Sequence, residues 1–233
     1  MEDVEHCSSE DQDEIKSLSS SRVGNFSKWS LLLNPNYFFA LITSGWGVMA
    51  IFFFIPLLPI RLKETYLLSQ EQIGLFFLIG PIFSLISTFT LCFMLPNYLS
   101  LRKIMIMCFF ALFVDLLFVG PSISLGIPEA LVTIAIGQAL SGLICPALFV
   151  YNLPEMNKVI ELEFAGLDQR QKFLLNDFSS GMFGLVYNMG LALAPIFGIH
   201  LSSLIGFRLC TDAVALSCLT LGVLYIMMTK ELN

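Results

Sequence analysis

Long apolar runs alternate with short polar breaks along most of this chain. Six runs of about 20 residues or slightly more can be distinguished, at roughly 37–60, 72–95, 101–122, 129–151, 178–204 and 209–229. A helix rises about 1.5 Å per residue, so each run reaches across a hydrocarbon core of about 30 Å. Stretches such as "MAIFFFIPLLPI" do not alternate between apolar and polar residues, which argues against a β-barrel. The pattern predicts an all-α membrane protein with six transmembrane helices, and a polar loop of about 25 residues that begins at Asn152 after the fourth run.

Composition agrees with this interpretation. Hydrophobic residues make up 56% of the chain and charged residues 13%, and the mean hydropathy is +0.81. Soluble domains carry about 25% charged residues, so this chain could not cover a water-facing surface. The lipid bilayer is therefore its first expected partner, and no nucleic-acid partner is expected.

Much of the net charge of −6 comes from one end of the chain. Residues 1–28 hold seven acidic and three basic residues, are rich in serine and are poor in aromatics. Such a composition predicts disorder, and it does not match a cleavable signal peptide. We therefore expect residues 1–34 to be a disordered acidic cytoplasmic tail or linker, and residues 35–233 to form a six-helix transmembrane bundle.

The basic residues predict the orientation. If the N-terminus is cytoplasmic, nine basic residues lie on the inner side, and only Arg61, Lys63 and Arg208 lie outside. This positive-inside bias puts both termini in the cytoplasm of a multi-pass protein, without distinguishing a plasma from a vesicular membrane. The six cysteines form no CxxC pair and no cluster with histidine, so they are interpreted as apolar fillers. Neither a metal site nor a cofactor is expected.

The stretch "NDFSSGMFGLVYNMGLALAPIFG", residues 176–198, has a small-residue face. At about 100° per residue, Gly190, Ala194 and Gly198 fall on one side of a helix. Small residues at this spacing let a neighbouring helix backbone approach closely. We therefore expect this face to pack against another helix.

A second face of the same stretch is sparsely polar. Asp177, Gly181, Gly184 and Asn188 lie at i, i+4, i+7 and i+11. One interpretation is that this face lines a polar crevice with Asn188 near mid-membrane. The alternative is that Asn188 only bonds to a neighbouring helix and that the glycines serve packing. The sequence pattern leaves both open.

One carboxylate falls inside an apolar run. Asp115, in "CFFALFVDLLFVG", has no basic residue near it in the sequence. A charged carboxylate at the centre of a transmembrane helix costs roughly 3 kcal/mol or more, which makes Asp115 a candidate functional residue. The alternative is that it is protonated or hydrogen-bonded to a neighbour and serves only packing.

Several segments resemble the second half of a major facilitator superfamily transporter. "SLRK" at 100–103 matches the basic end of that family's inner-loop motif, although the motif's glycine and acidic positions are absent. "YNLPEM" at the end of the fourth run resembles the family's frequent Pro-Glu-Met exit. The 176–198 stretch resembles its eleventh helix, and "GFRLCTDAVAL" resembles the start of its twelfth. The resemblance covers about residues 35–229. Within the superfamily the chain looks most like the vesicular amine and polyamine branch.

The resemblance implies half of a twelve-helix fold that works by alternating access. In each half of that fold, the first, second, fourth and fifth helices face a central cavity, while the third and sixth support them. It implies that Asp115 lies on a support helix. It also implies that six polar or aromatic residues lie on cavity helices, as a substrate pathway: Asn188, Tyr187, Asp177, Gln138, Ser141 and Trp46.

Two classes of function follow. The first is a secondary transporter of a small organic solute, possibly with a coupling proton. Because only one bundle is present, it would need a second six-helix half, in a longer chain or in another subunit. The resemblance of residues 1–34 to the linker between halves favours a longer chain. The second class is a non-transporting six-helix scaffold or decayed half-transporter. An enzyme is not expected, since no paired acids, histidine cluster or Ser/Lys dyad is apparent.

Overall fold

The computed structural model describes residues 28–93, 100–164 and 166–229, so most of the predicted acidic tail lies outside the described residues. All regular structure in this part of the chain is helical. A short 3-10 turn, Lys28–Leu31, precedes eight helices: α1 Pro35–Phe52, α2 Leu57–Tyr66, α3 Gln70–Phe77, α4 Ile79–Phe93, α5 Leu101–Val119, α6 Leu131–Glu163, α7 Gln169–Ile205 and α8 Phe207–Thr229. The predicted all-α class is thus confirmed.

Within the described residues, five helical segments are long and apolar enough to cross a membrane: Pro35–Tyr66, Gln70–Leu91, Leu131–Glu163, Gln169–Ile205 and Phe207–Met227. The first joins α1 to α2, and the second joins α3 to most of α4. Helix α5 has 19 residues but carries three charged residues, Arg102, Lys103 and Asp115. The prediction of a membrane protein with several membrane-length helices therefore holds for the part of the chain that the structure describes.

The prediction of a polar loop of about 25 residues after run four is wrong. Helix α6 continues to Glu163 and α7 begins at Gln169, so the connection is short. The reason is a helical periodicity within the polar stretch: Glu155, Met156, Val159 and Ile160 share a face and are buried. This face forms part of a small core near the start of α1.

Polar side chains start several helices. The Asn34 side chain accepts hydrogen bonds from the backbone N–H groups of Asn36 (2.9 Å) and Tyr37 (3.2 Å), which satisfies two donors that the first turn of α1 leaves free. Ser69 and Gln72 form a reciprocal capping box at α3. Pro56 lies between α1 and α2, directly before the first residue of α2. Because proline has no backbone N–H, it favours an interruption of the helix at this point.

Helix α6 lies at the centre of the bundle, because it packs against α1, α4, α5 and α7. Helix α7 packs mainly on α1, and α8 mainly on α5. The main core contains large buried side chains such as Phe53, Phe54, Phe109 and Tyr225. The remaining faces of α4 and α7 carry many exposed apolar side chains.

Candidate functional site

A cavity of about 350 Å³ lies between the α1–α2 break, α4 and α6. Its walls are mostly apolar and include Phe52, Phe54 and Phe77. Its polar lining comes from Ser84 of α4 and from Gln138 and Ser141 of α6. Gln138 and Ser141 are three residues apart and therefore lie on the same face of the helix. Of the six predicted pathway residues, these two are brought into this cavity.

A close approach of α4 to α6 forms one wall of the cavity. A Cβ added at Gly142 would overlap the Gly80 carbonyl oxygen. A Cβ at Gly80 would lie 3.5 Å from Oε1 of Gln138. The close approach of the backbones therefore depends on Gly142, whereas a side chain at Gly80 would make only ordinary contact with Gln138. Nε2 of the Gln138 amide is buried and has no hydrogen-bond partner among the described residues.

Asp115 lies directly behind Ser141. Its side chain has 0% exposure, and the Ser141 hydroxyl donates a 2.7 Å hydrogen bond to its Oδ2. The other carboxyl oxygen, Oδ1, has no partner in the described part of the chain. Asp115 does not itself line the cavity. It thus holds the hydroxyl of a cavity residue in one orientation.

Trp46 and Tyr187 make contacts elsewhere. The Trp46 indole N–H donates a 3.0 Å hydrogen bond to the Ser217 hydroxyl on α8, so its polar atom points toward α8 and not into the cavity. The Tyr187 ring lies edge-on to Phe149, with ring centroids 5.2 Å apart. Phe149 in turn stacks on Phe52, a cavity residue. Tyr187 is therefore linked to the cavity through aromatic contacts but does not line it.

The polar face of α7 points away from the bundle. Asp177, Gly181 and Asn188 are exposed. A Cβ added at Gly181 or Gly184 would meet nothing within 4 Å. The Asn188 amide donates a 2.7 Å hydrogen bond to the Gly184 carbonyl oxygen of its own helix. This stripe makes no close helix contact within the described residues.

The small-residue face of α7 packs against α1. Gly190, Ala194 and Gly198 are all buried. A Cβ at Gly190 would lie 2.7 Å from the Gly45 carbonyl oxygen, and one at Gly198 would overlap the Phe53 carbonyl oxygen. The two helix backbones therefore approach more closely than side chains at these positions would allow.

Two ion-pair groups were not anticipated from the sequence. Near the start of α5, Arg102 Nε lies 2.9 Å from Glu155 Oε1 of α6, and the Glu155 side chain is 3% exposed. Near the other end of α6, Glu129 pairs with both Arg61 and Arg208. The Arg102–Glu155 pairing was missed because the sequence pattern assigned Glu155 to a loop. Its position within a helical apolar periodicity was the available signal.

A buried hydrogen bond was also missed. The Ser44 hydroxyl of α1 lies 2.5 Å from Oδ1 of Asn152, which belongs to α6 rather than to the predicted loop.

Among the described residues, no group of three or more His, Cys, Asp or Glu side chains could hold a metal ion.

Comparison with known proteins does not assign the chain to a family. Neither the models of known protein families nor the curated proteins contain a match to this sequence.

Proposed function

We propose that this chain is one half of a secondary active transporter that moves a small organic solute by alternating access. The proposal rests chiefly on Asn188 of α7, whose side chain is exposed. Asn188 lies about 28 Å from the start of α7, near the middle of this membrane-length helix. An amide facing hydrocarbon is costly. A polar pathway between two rocking bundles accommodates it, because water, solute or the second half can bond to it.

The proposed half has six crossings, with α5 as the third. Its 19 residues span about 28 Å, and it packs between α6 and α8. Its charged residues do not oppose this, because Arg102 lies at its start with Glu155 as partner and Asp115 is bonded to Ser141. Six crossings put both termini on one side, which the basic residues favour as the cytoplasm.

The resemblance to the major facilitator superfamily supports the same proposal. The fold of that family implies a second six-helix half as the partner of this bundle. It also implies a mid-membrane substrate site between the two halves. In this arrangement the open stripe of α7 and the cavity beside α6 both belong to the substrate pathway. A coupling proton is part of the proposal. The vesicular amine and polyamine branch is not, because amine solutes are cations at neutral pH and the described lining of the cavity beside α6 contains no charged group.

The test is solute uptake by the longest chain that the genomic reading frame encodes. The purified protein is reconstituted into liposomes with an imposed pH gradient, and retained solutes from a defined mixture are measured by mass spectrometry. We expect at least one solute to exceed its level in protein-free liposomes, and Asn188→Leu to abolish that excess. Uptake indistinguishable from protein-free liposomes would contradict the proposal.

A second candidate is a non-transporting membrane scaffold. It is favoured by the polar groups that are engaged in bonds between helices, such as Trp46 with Ser217 and Ser44 with Asn152. The two candidates differ in what the reading frame upstream of Met1 encodes. Six further apolar runs there would support the transporter. A reading frame that begins at Met1, together with no six-helix partner subunit recovered with the purified protein, would support the scaffold.

A further inference from the structure

We propose that the cavity beside α6 binds an uncharged small molecule that carries both a hydrogen-bond donor and an acceptor on an aromatic or otherwise apolar frame. This inference rests on the proposed function, because it names the chemical class of the solute in that pathway. The cavity's walls, the two polar side chains that α6 contributes and the absence of a charged group among the described lining residues support it.

The lining residues in the described part of the chain include no carboxylate, amine, guanidinium or imidazole group. The carboxylate behind the wall, Asp115, is covered by the Ser141 hydroxyl and has no exposed surface. A charged ligand would therefore lose its hydration without gaining a direct counter-charge, which is strongly unfavourable. The cavity favours a neutral ligand.

Two side chains of α6 can bond to a ligand in the cavity. The Ser141 hydroxyl uses its O–H to donate a hydrogen bond to Asp115, so its oxygen lone pairs act toward a ligand as an acceptor. Gln138, which is 5% exposed, has an amide Nε2 without a partner among the described residues. Rotation about its terminal torsion, which is soft, turns this donor toward the cavity. The cavity thus offers one donor and one acceptor on a single helix face.

The size and the aromatic walls of the cavity limit the shape of the ligand. A volume of about 350 Å³ is near the lower end of the range for small-molecule sites. Phe52, Phe54 and Phe77 contribute large apolar surfaces to the walls, which suit a flat apolar frame. A primary amide on a single aromatic ring meets all three conditions: its carbonyl oxygen accepts from Gln138 and its N–H donates to Ser141.

Cys145 supplies a reporter for occupancy. It lines the same cavity and is partly exposed, whereas Cys108, Cys210 and Cys218 are buried. The full chain in lipid nanodiscs is treated with a small uncharged maleimide, and the modification rate of Cys145 is measured by peptide mass spectrometry. Three compounds with the same ring are compared as protectants: benzamide, benzylamine and benzoate. At neutral pH these are neutral, cationic and anionic.

We expect benzamide to protect Cys145 at a concentration about tenfold or more below that of either charged compound. Gln138→Leu removes the donor and should raise the protective benzamide concentration about tenfold. The matched control is Thr88→Ala on α4, because Thr88 is exposed and its hydroxyl bonds to the Ser84 carbonyl of its own helix. It should leave protection unchanged. If Gln138→Leu does not fold, Ser141→Ala tests the acceptor in its place.

Protection by benzylamine or benzoate at an equal or lower concentration would overturn the inference. So would a failure of all three compounds to protect, a Cys145 that does not react without compound, or unchanged benzamide protection in the variant tested. These outcomes are separate from the transport test. Benzamide protection without uptake of any solute would contradict transport and leave the ligand class intact. Uptake of a charged solute by a protein that benzamide does not protect would support transport and contradict the ligand class.

Discussion

Ser141 of α6 donates a 2.7 Å hydrogen bond to Asp115 of α5 across the interior of the bundle. The two residues are 26 positions apart in the chain, and both are buried. The contact joins α5 to α6, the helix whose Gln138 and Ser141 line the cavity. It gives the intramembrane carboxyl a polar partner, and it leaves Oδ1 without one in the described part of the chain.

We expect Asp115→Asn to fold with a melting temperature close to that of the wild type, because the Asn carbonyl oxygen can still accept from Ser141. Ser141→Ala should lower stability by about 1 kcal/mol, a typical value for a hydrogen bond between membrane helices. The double variant with Asp115→Leu and Ser141→Ala should lose less stability than the sum of the losses in Asp115→Leu alone and Ser141→Ala alone. Thermal unfolding in detergent measures all four variants. Strict additivity would show that the hydrogen bond contributes nothing to stability.

Gly190→Leu and Gly198→Leu should each reduce yield and melting temperature. Their side chains would meet the backbone of α1, and overfilling a packed interface costs about 1–3 kcal/mol or more. Gly181→Leu is the matched control, because the same substitution on the same helix enters open space. If all three variants unfold at the wild-type temperature, the close approach of α1 to α7 is not needed for stability.

Asn188→Ala should change stability by less than about 0.5 kcal/mol, as is usual for an exposed position. Its amide bonds only to Gly184 of its own helix among the contacts that the structure describes. The proposed transport role predicts that uptake by the complete transporter is lost while the melting temperature stays constant. Full uptake together with a lowered melting temperature would make Asn188 a structural residue instead.

Removal of one partner of the Arg102–Glu155 pair should destabilise the bundle by about 3 kcal/mol, because a largely buried charge loses its counter-charge. Glu155→Gln is the conservative test. Arg102→Met combined with Glu155→Met should recover part of that loss, since neither charge then remains. Melting temperatures of the single and double variants decide the matter. A double variant less stable than both single variants would contradict a paired role.

A cysteine introduced at Leu125 should react with a membrane-impermeant thiol reagent in intact cells, whereas one at Leu162 should not. Both side chains are well exposed, at 64% and 57%, so burial does not account for a difference in labelling. The difference reports the side of the membrane. Labelling of the Leu162 position from outside would reverse the proposed orientation of both termini.

Local patterns in the sequence were sufficient to predict an all-helical protein with membrane-length helices. They also separated the small-residue face of α7 from its polar face. Apolar runs of membrane length predict helices because a spanning backbone must satisfy its own hydrogen bonds. The period of 3.6 residues then separates Gly190 and Gly198 from Gly181 and Asn188. A consistent use of the same period would also have extended α6 through Glu155 and Ile160.

Only the tertiary structure decided which residues meet. Asp115 bonds to Ser141, Gln138 reaches the cavity, and Trp46 turns to Ser217 instead. None of this is visible in the periodicity, because in a membrane the lipid-facing and core-facing sides of a helix are equally apolar. Partners across helices depend on how closely the backbones approach. That distance is set by pairs such as Gly190 with Gly45 and Gly142 with Gly80, whose members are distant in sequence and become neighbours only when the helices pack.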